Sequence, residues 1–131
     1  MLEYIEEKKC LEHRENLNDP RSDFTAIYES EKDRIYVIGG NDAKNFYRNC
    51  EYFDVAINKW VKMADLNVAR DSAACCIFNG KYIYVFSGRI KFNQKEITDV
   101  CEAYDIEKDV WEVINLDKSS KWIPCDLSMC Y

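Results

Sequence analysis

Between residues 24 and 114 the chain alternates short apolar runs with polar, turn-forming stretches, and no run keeps a helical period. Phe24–Tyr28, Arg34–Ile38, Cys50–Val55 and Lys59–Met63 each predict a strand. So do Ala73–Phe78, Tyr82–Phe86, Val100–Ile106 and Val110–Ile114. Tyr82–Phe86 is apolar at every position, which suits a strand buried on both faces. Asn79-Gly80 predicts a two-residue hairpin turn, because both positions need positive φ. In residues 1–15, Tyr4, Glu7 and Leu11 could mark a helix, but the repeat described next favours strands there.

The runs recur as copies of one unit. "NCEYFDVAINKW" (49–60) lies over "VCEAYDIEKDVW" (100–111) at an offset of 51, setting Phe53 on Tyr104 and Trp60 on Trp111. "ENLNDPR" (15–21) lies over "DLNVAR" (65–70) at an offset of 49, setting Asn18 on Asn67 and Arg21 on Arg70. The same offset carries Tyr4 onto Phe53 and Leu11 onto Trp60, and "LSMCY" (127–131) resembles "SAACC" (72–76). A fixed period of this length signals a repeat architecture. The boundaries expected are half a unit at 1–17, full units at 21–66 and 70–117, and the start of another at 125–131.

Four antiparallel strands in about 50 residues match one β-propeller blade. The details resemble the kelch repeat. Gly39-Gly40 closes a second strand and is followed by a polar stretch, then Phe53 and Trp60. The next unit offers Ser87-Gly88, Tyr104 and Trp111. Departures are Ser87 in the doublet, Leu11 in place of Trp, and an expanded loop at 117–126. The resemblance implies an all-β fold of kelch-type blades in an incomplete ring, since propellers close with about four to eight blades. The half-units at both ends lead to the expectation of a piece of a longer propeller, needing further blades from the same or another chain.

The blade residues take structural roles in this picture. Gly39, Gly40 and Gly88 allow close backbone approach. Trp60 and Trp111 supply apolar area between blades, each with an indole N–H seeking a loop carbonyl, and Phe53 and Tyr104 pack against them. Cys75, Cys76 and Ala74 serve as small fillers of an innermost strand.

Chemistry is sparse. No phosphate-binding loop, nucleophile elbow or zinc-protease motif occurs. The one histidine, His13, is expected on a solvated outer strand. Seven cysteines lack metal-ligand spacing and read as packed, reduced thiols in a cytoplasmic setting. The carboxylates, including Asp99, Glu102, Asp105 and Glu107, read mostly as solvated. A net charge of −6 argues against nucleic-acid or anionic-membrane partners, and no apolar run is long enough for a spanning helix. No catalytic group, metal or cofactor is expected.

Binding is then expected at loops, which rigid blades hold at one rim: 41–48, 89–98, 64–72 and 115–126. In kelch propellers that bind short or acidic peptide motifs, arginines after the Gly doublet and before the innermost strand line the binding face. The resemblance carries this onto Arg89, Arg21 and Arg70, with Phe46, Tyr47 and Phe92 adding apolar contact. Arg21 and Arg70 stand in register in both units, so a bracing role is an equal alternative. The function implied is a non-catalytic protein-interaction module, such as a ubiquitin-ligase substrate adaptor or scaffold. The alternative is a structural subunit of a larger assembly, with an enzyme a distant third.

Overall fold

The computed structural model describes residues 1–5, 10–92 and 96–115, which form ten strands and no helix. β1 (Leu2–Ile5) and β2 (Cys10–His13) make an antiparallel pair. β3 (Thr25–Glu29), β4 (Arg34–Ile38), β5 (Cys50–Asp54) and β6 (Lys59–Lys62) make a four-stranded antiparallel sheet in that order. β7 (Ala74–Phe78), β8 (Tyr82–Phe86), β9 (Cys101–Asp105) and β10 (Val110–Ile114) repeat it. Each strand from β3 to β10 lies within a residue of the apolar run that predicted it, and β1 and β2 fall where the repeat favours strands over a helix. Adding 49 to each number in the β1–β2 register, where Tyr4 faces Leu11, gives the β5–β6 register, where Phe53 faces Trp60. The first pair is therefore strung like the outer half of a four-stranded sheet. The strand expected at 125–131 and the loop at 117–126 lie outside the described residues.

Local chemistry fixes the turns. Asn79 and Gly80 both hold positive φ, at 52° and 60°. Phe78 pairs with Tyr82, however, so the connection has three residues rather than the two expected. The Lys81 N–H closes the turn onto the Phe78 carbonyl, while the Lys81 carbonyl accepts from the Ile106 N–H instead of joining the hairpin ladder. Elsewhere carboxylates cap the turns. Glu29 accepts from the amides of Glu31 and Lys32, and Asp105 from those of Glu107 and Lys108.

The main core lies between the two four-stranded sheets. Tyr36, Ile38, Met63 and Leu66 meet Ile83, Val85, Tyr104 and Trp111 there, all buried. The Tyr36 and Tyr104 rings approach edge-on with centroids 6.4 Å apart. Innermost strands β3 and β7 run side by side, and the Thr25 hydroxyl donates to the Ala73 carbonyl at 2.7 Å. The expected two-faced burial of Tyr82–Phe86 holds for one face. Ile83 and Val85 are fully covered, whereas Tyr82, Tyr84 and Phe86 stay partly open in a ladder of rings about 6.3 Å apart. Two-faced burial occurs instead on β4, where Tyr36, Val37 and Ile38 are all buried.

Candidate functional site

Arg21 and Arg70 build the same brace twice. Each precedes an innermost strand and turns its guanidinium back under its own sheet. Nη1 of Arg70 donates to the carbonyls of Ser87 (2.7 Å) and Val100 (2.6 Å), and Nη2 to Glu102 (2.9 Å). Nη1 of Arg21 donates to Gly39 (2.9 Å) and Asn49 (2.7 Å), and Nη2 to Glu51 (3.2 Å). The second carboxylate oxygen of each Glu accepts from the backbone and side-chain amides of Asn67 or Asn18. The arginine side chains are 0% and 1% exposed, so both guanidinium groups are spent inside the protein. Both side chains are thus placed within their own sheets and away from the surface, in the arrangement a bracing role would have. Glu102, expected to be solvated, is buried because Arg70 and Asn67 satisfy it.

Arg89, Phe46 and Phe92 do come together at the rim. The Phe46 and Phe92 rings, from loops of different sheets, lie with centroids 4.2 Å apart. The Arg89 guanidinium sits about 6 Å from both. Its Nε and Nη2 form a two-pronged contact with Asp71, at 3.0 and 2.7 Å, and Nη2 also lies 3.6 Å from Asp23. Asp71 further accepts from Asn41 Nδ2 at 2.7 Å, which ties the two sheets. The Asp71 contact raises the Arg89 pKa further, keeping it charged. Arg89 is thus oriented and largely neutralised in place, with 39% of its side chain exposed. Tyr47 belongs to the same rim loop but stacks over Arg21 at 5.1 Å instead of joining the pair.

Asp71, Asn41 and Ile97 lie within the loops expected to bind, but the sequence alone does not single them out. Ile97 pairs with Arg89 across its loop and is 67% exposed. Asn41 takes the same position in the first sheet that Arg89 takes in the second, a correspondence visible at the 48-residue offset. The 41–48 loop is held by Asp42, which accepts from the amides of Asn45 (2.6 Å) and Lys44 (2.9 Å). Those donors pull its carboxyl down to about 2.

The blade residues sit where the repeat puts them. Trp60 and Trp111 pack on Phe53 and Tyr104 with centroids 5.3 and 5.0 Å apart. Their indole N–H groups donate to the carbonyls of Glu15 (2.9 Å) and Ala64 (3.0 Å). Gly39 holds φ +61°, and any Cβ there would collide with the Arg70 carbonyl of the next sheet. The adjacent Gly40 N–H donates to that same carbonyl at 2.9 Å. Gly88 has φ +109°, with space for a Cβ closed by the Asp71 carbonyl. Ser87 keeps the positive φ of Gly39 despite its side chain.

The two buried thiols, Cys50 and Cys101, show no activation. Burial pushes Cys50 up to about 12 and raises Cys101 as well, so neither presents a thiolate. His13 is exposed, with Nδ1 against the Arg14 carbonyl. Among the described residues no group of three or more His, Cys, Asp or Glu could hold a metal ion, and no helix is long and apolar enough to cross a membrane.

Comparison with known proteins points one way. The kelch motif family matches residues 32–67. A RING finger domain and kelch repeat-containing protein of Dictyostelium discoideum is 28% identical over 100 residues, covering 76% of this chain and 10% of the relative. A kelch repeat and BTB domain-containing protein 2 of cowpox virus (strain GRI-90) is 30% identical over 77 residues, covering 59% and 14%. Kelch-like protein 15 of Gallus gallus is 30% identical over 86 residues, covering 62% and 17%. The chain thus spans less than a fifth of each of these relatives. With the glycines, the paired aromatics and the doubled four-stranded sheet now in place, the chain belongs to the kelch-repeat family.

Proposed function

We propose that this protein-interaction module engages its partners through the rim built by loops 41–48 and 89–98, with Phe46, Phe92 and Ile97 as apolar contacts. One observation carries this: two phenylalanines from neighbouring blades meet at 4.2 Å outside the core, one of them 39% exposed. Aromatic clusters at a rim are the surface type that carries binding energy between proteins. Arg89 orients beside them, but Asp71 and Asp23 already answer its charge. Contact is therefore led by apolar groups, and an acidic peptide motif would have to displace Asp23.

The relatives support an adaptor or scaffold role, since their names couple kelch repeats to a BTB domain or a RING finger. Free Cys50 and Cys101 suit a reducing, cytoplasmic compartment. The division into blades at 21–66 and 70–117, with half a blade at 1–17, further proposes completion by blades beyond those described. A structural subunit of a larger assembly is the second reading, favoured by the half-buried Leu17, Ile35 and Trp60 on the first sheet.

The rim reading is tested by comparing partner capture by the wild-type chain with capture by Phe46→Ala and Phe92→Ala. Partner recovery should fall about tenfold or more, as for a binding hot spot, while the melting temperature holds. Equal recovery by the variants would reject the rim.

A further inference from the structure

The charges at the rim are unevenly answered. Arg89 spends Nε and Nη2 on Asp71, whose side chain is 0% exposed and also accepts from Asn41. Asp23 stands 3.6 Å from the same Nη2 with 53% of its side chain exposed. One guanidinium thus faces two carboxylates. The surplus negative charge lies on Asp23, the carboxylate that a partner can reach.

Asp23 is also fixed in place. Its Oδ2 accepts from Asn41 Nδ2 at 3.0 Å, and its backbone carbonyl accepts from the Ser72 amide at 2.8 Å. A carboxylate ordered by the fold gives up little freedom when it pairs. A second exposed carboxylate, Asp42, belongs to the loop that carries Phe46 and is held ionised down to about pH 2. The nearby cations are mostly committed elsewhere. Lys91 pairs with Glu96 at 2.7 Å, Arg48 turns its Nε onto the Leu66 carbonyl, and Arg21 and Arg70 are buried. Among the described residues of loops 41–48 and 89–98, that leaves the exposed Lys44.

Charge and apolar surface adjoin. The Arg89 guanidinium lies about 6 Å from the Phe46 and Phe92 rings and touches Asp23 on its other side. A long basic side chain laid over Phe92 would rest its alkyl stem on the ring and carry its charge to Asp23.

We propose that the rim selects a partner segment in which an arginine or lysine adjoins an aliphatic or aromatic residue. The apolar group rests on Phe92 and Ile97, and the cation pairs with Asp23. This preference is opposite in sign to the acidic motif implied by the family resemblance. It rests on the rim reading above and adds the partner's charge to it.

The probe is a phage-displayed random peptide library panned on the full chain, with recovered peptides remeasured by fluorescence anisotropy. Phe92→Ala leaves the net charge unchanged and filters out peptides drawn merely by the acidic protein. Peptides that need Phe92 should carry arginine or lysine next to an apolar residue. Asp23→Asn keeps a residue type that accepts positive φ and should weaken them about fivefold. Glu112→Gln, the same charge change at an exposed position on β10, should leave them unaffected. Phe92-dependent peptides that are acidic or uncharged, or basic ones indifferent to Asp23→Asn, overturn the charge preference and leave the rim standing. Recovery of no peptide that depends on Phe92 or Phe46 overturns the rim and the preference together.

Discussion

The first and second sheets share strand order, register, an arginine brace and an indole bond, yet differ in how far their matching faces are buried. Ile83 is fully covered and Ile35 is not, although each occupies the same place in its strand. The local sequence sets the pairing of strands, and the neighbouring blade sets what that pairing contributes to stability. A kelch blade is in this sense half of an interface, and its apolar face gains little until another blade covers it.

The largest expected effect separates the two braces. Arg70→Ala should cost about 3–5 kcal/mol, since it strands the fully buried Glu102 charge. Glu51 is 1% exposed with Arg21 in place, but Arg21 lines a cavity beside Trp60. Arg21→Ala therefore lets water reach the carboxylate and should cost less. Urea denaturation of both variants measures the gap, and equal losses would erase the distinction between covered and open faces.

Next comes packing. Ile83→Ala leaves a cavity in a closed core and should cost about 2–5 kcal/mol, with Ile35→Ala costing about half as much. Thermal melts of the pair test this. Smaller again is the indole bond: Trp111→Phe should lose about 1 kcal/mol beyond its packing change, and Trp60→Phe less, as solvent can replace the bond to Glu15.

The smallest effect concerns the rim loops. Asp42 is held below its ordinary value, so its contribution is complete above about pH 4 and disappears as pH falls towards 2. Ile90 stands at the corresponding place in the other loop and contributes nothing there. Amide signals of residues 42–45 should therefore shift over that window, those of the 89–92 turn should not, and Asp42→Asn should remove the response.

The strands were legible because the sequence states them twice, and two imperfect signals in register outweigh the ambiguity of a single apolar run. Arg21 and Arg70 were legible as a repeated pair, but their destination was not. Glu51 and Glu102 align as well as the arginines do, yet a carboxylate on a strand ordinarily points to water. Only the depth at which Arg70 and Asn67 meet Glu102 reverses that expectation. The pairing of Phe46 with Phe92 left no trace in the repeat, because the two rings occupy non-equivalent loop positions that only side-by-side blades bring together. Asp71 was hidden for a similar reason, since its partner Arg89 lies on the far side of a whole hairpin.

The central claim is that the two repeats stack as neighbouring blades, and ring contacts across their junction test it most directly. Nuclear Overhauser effects should connect the ring protons of Tyr36 and Tyr104, and the Gly40 amide, bonded to the Arg70 carbonyl, should exchange slowly. Two sheets with intact internal strand contacts, but no Tyr36–Tyr104 effect and a fast-exchanging Gly40 amide, would contradict the account.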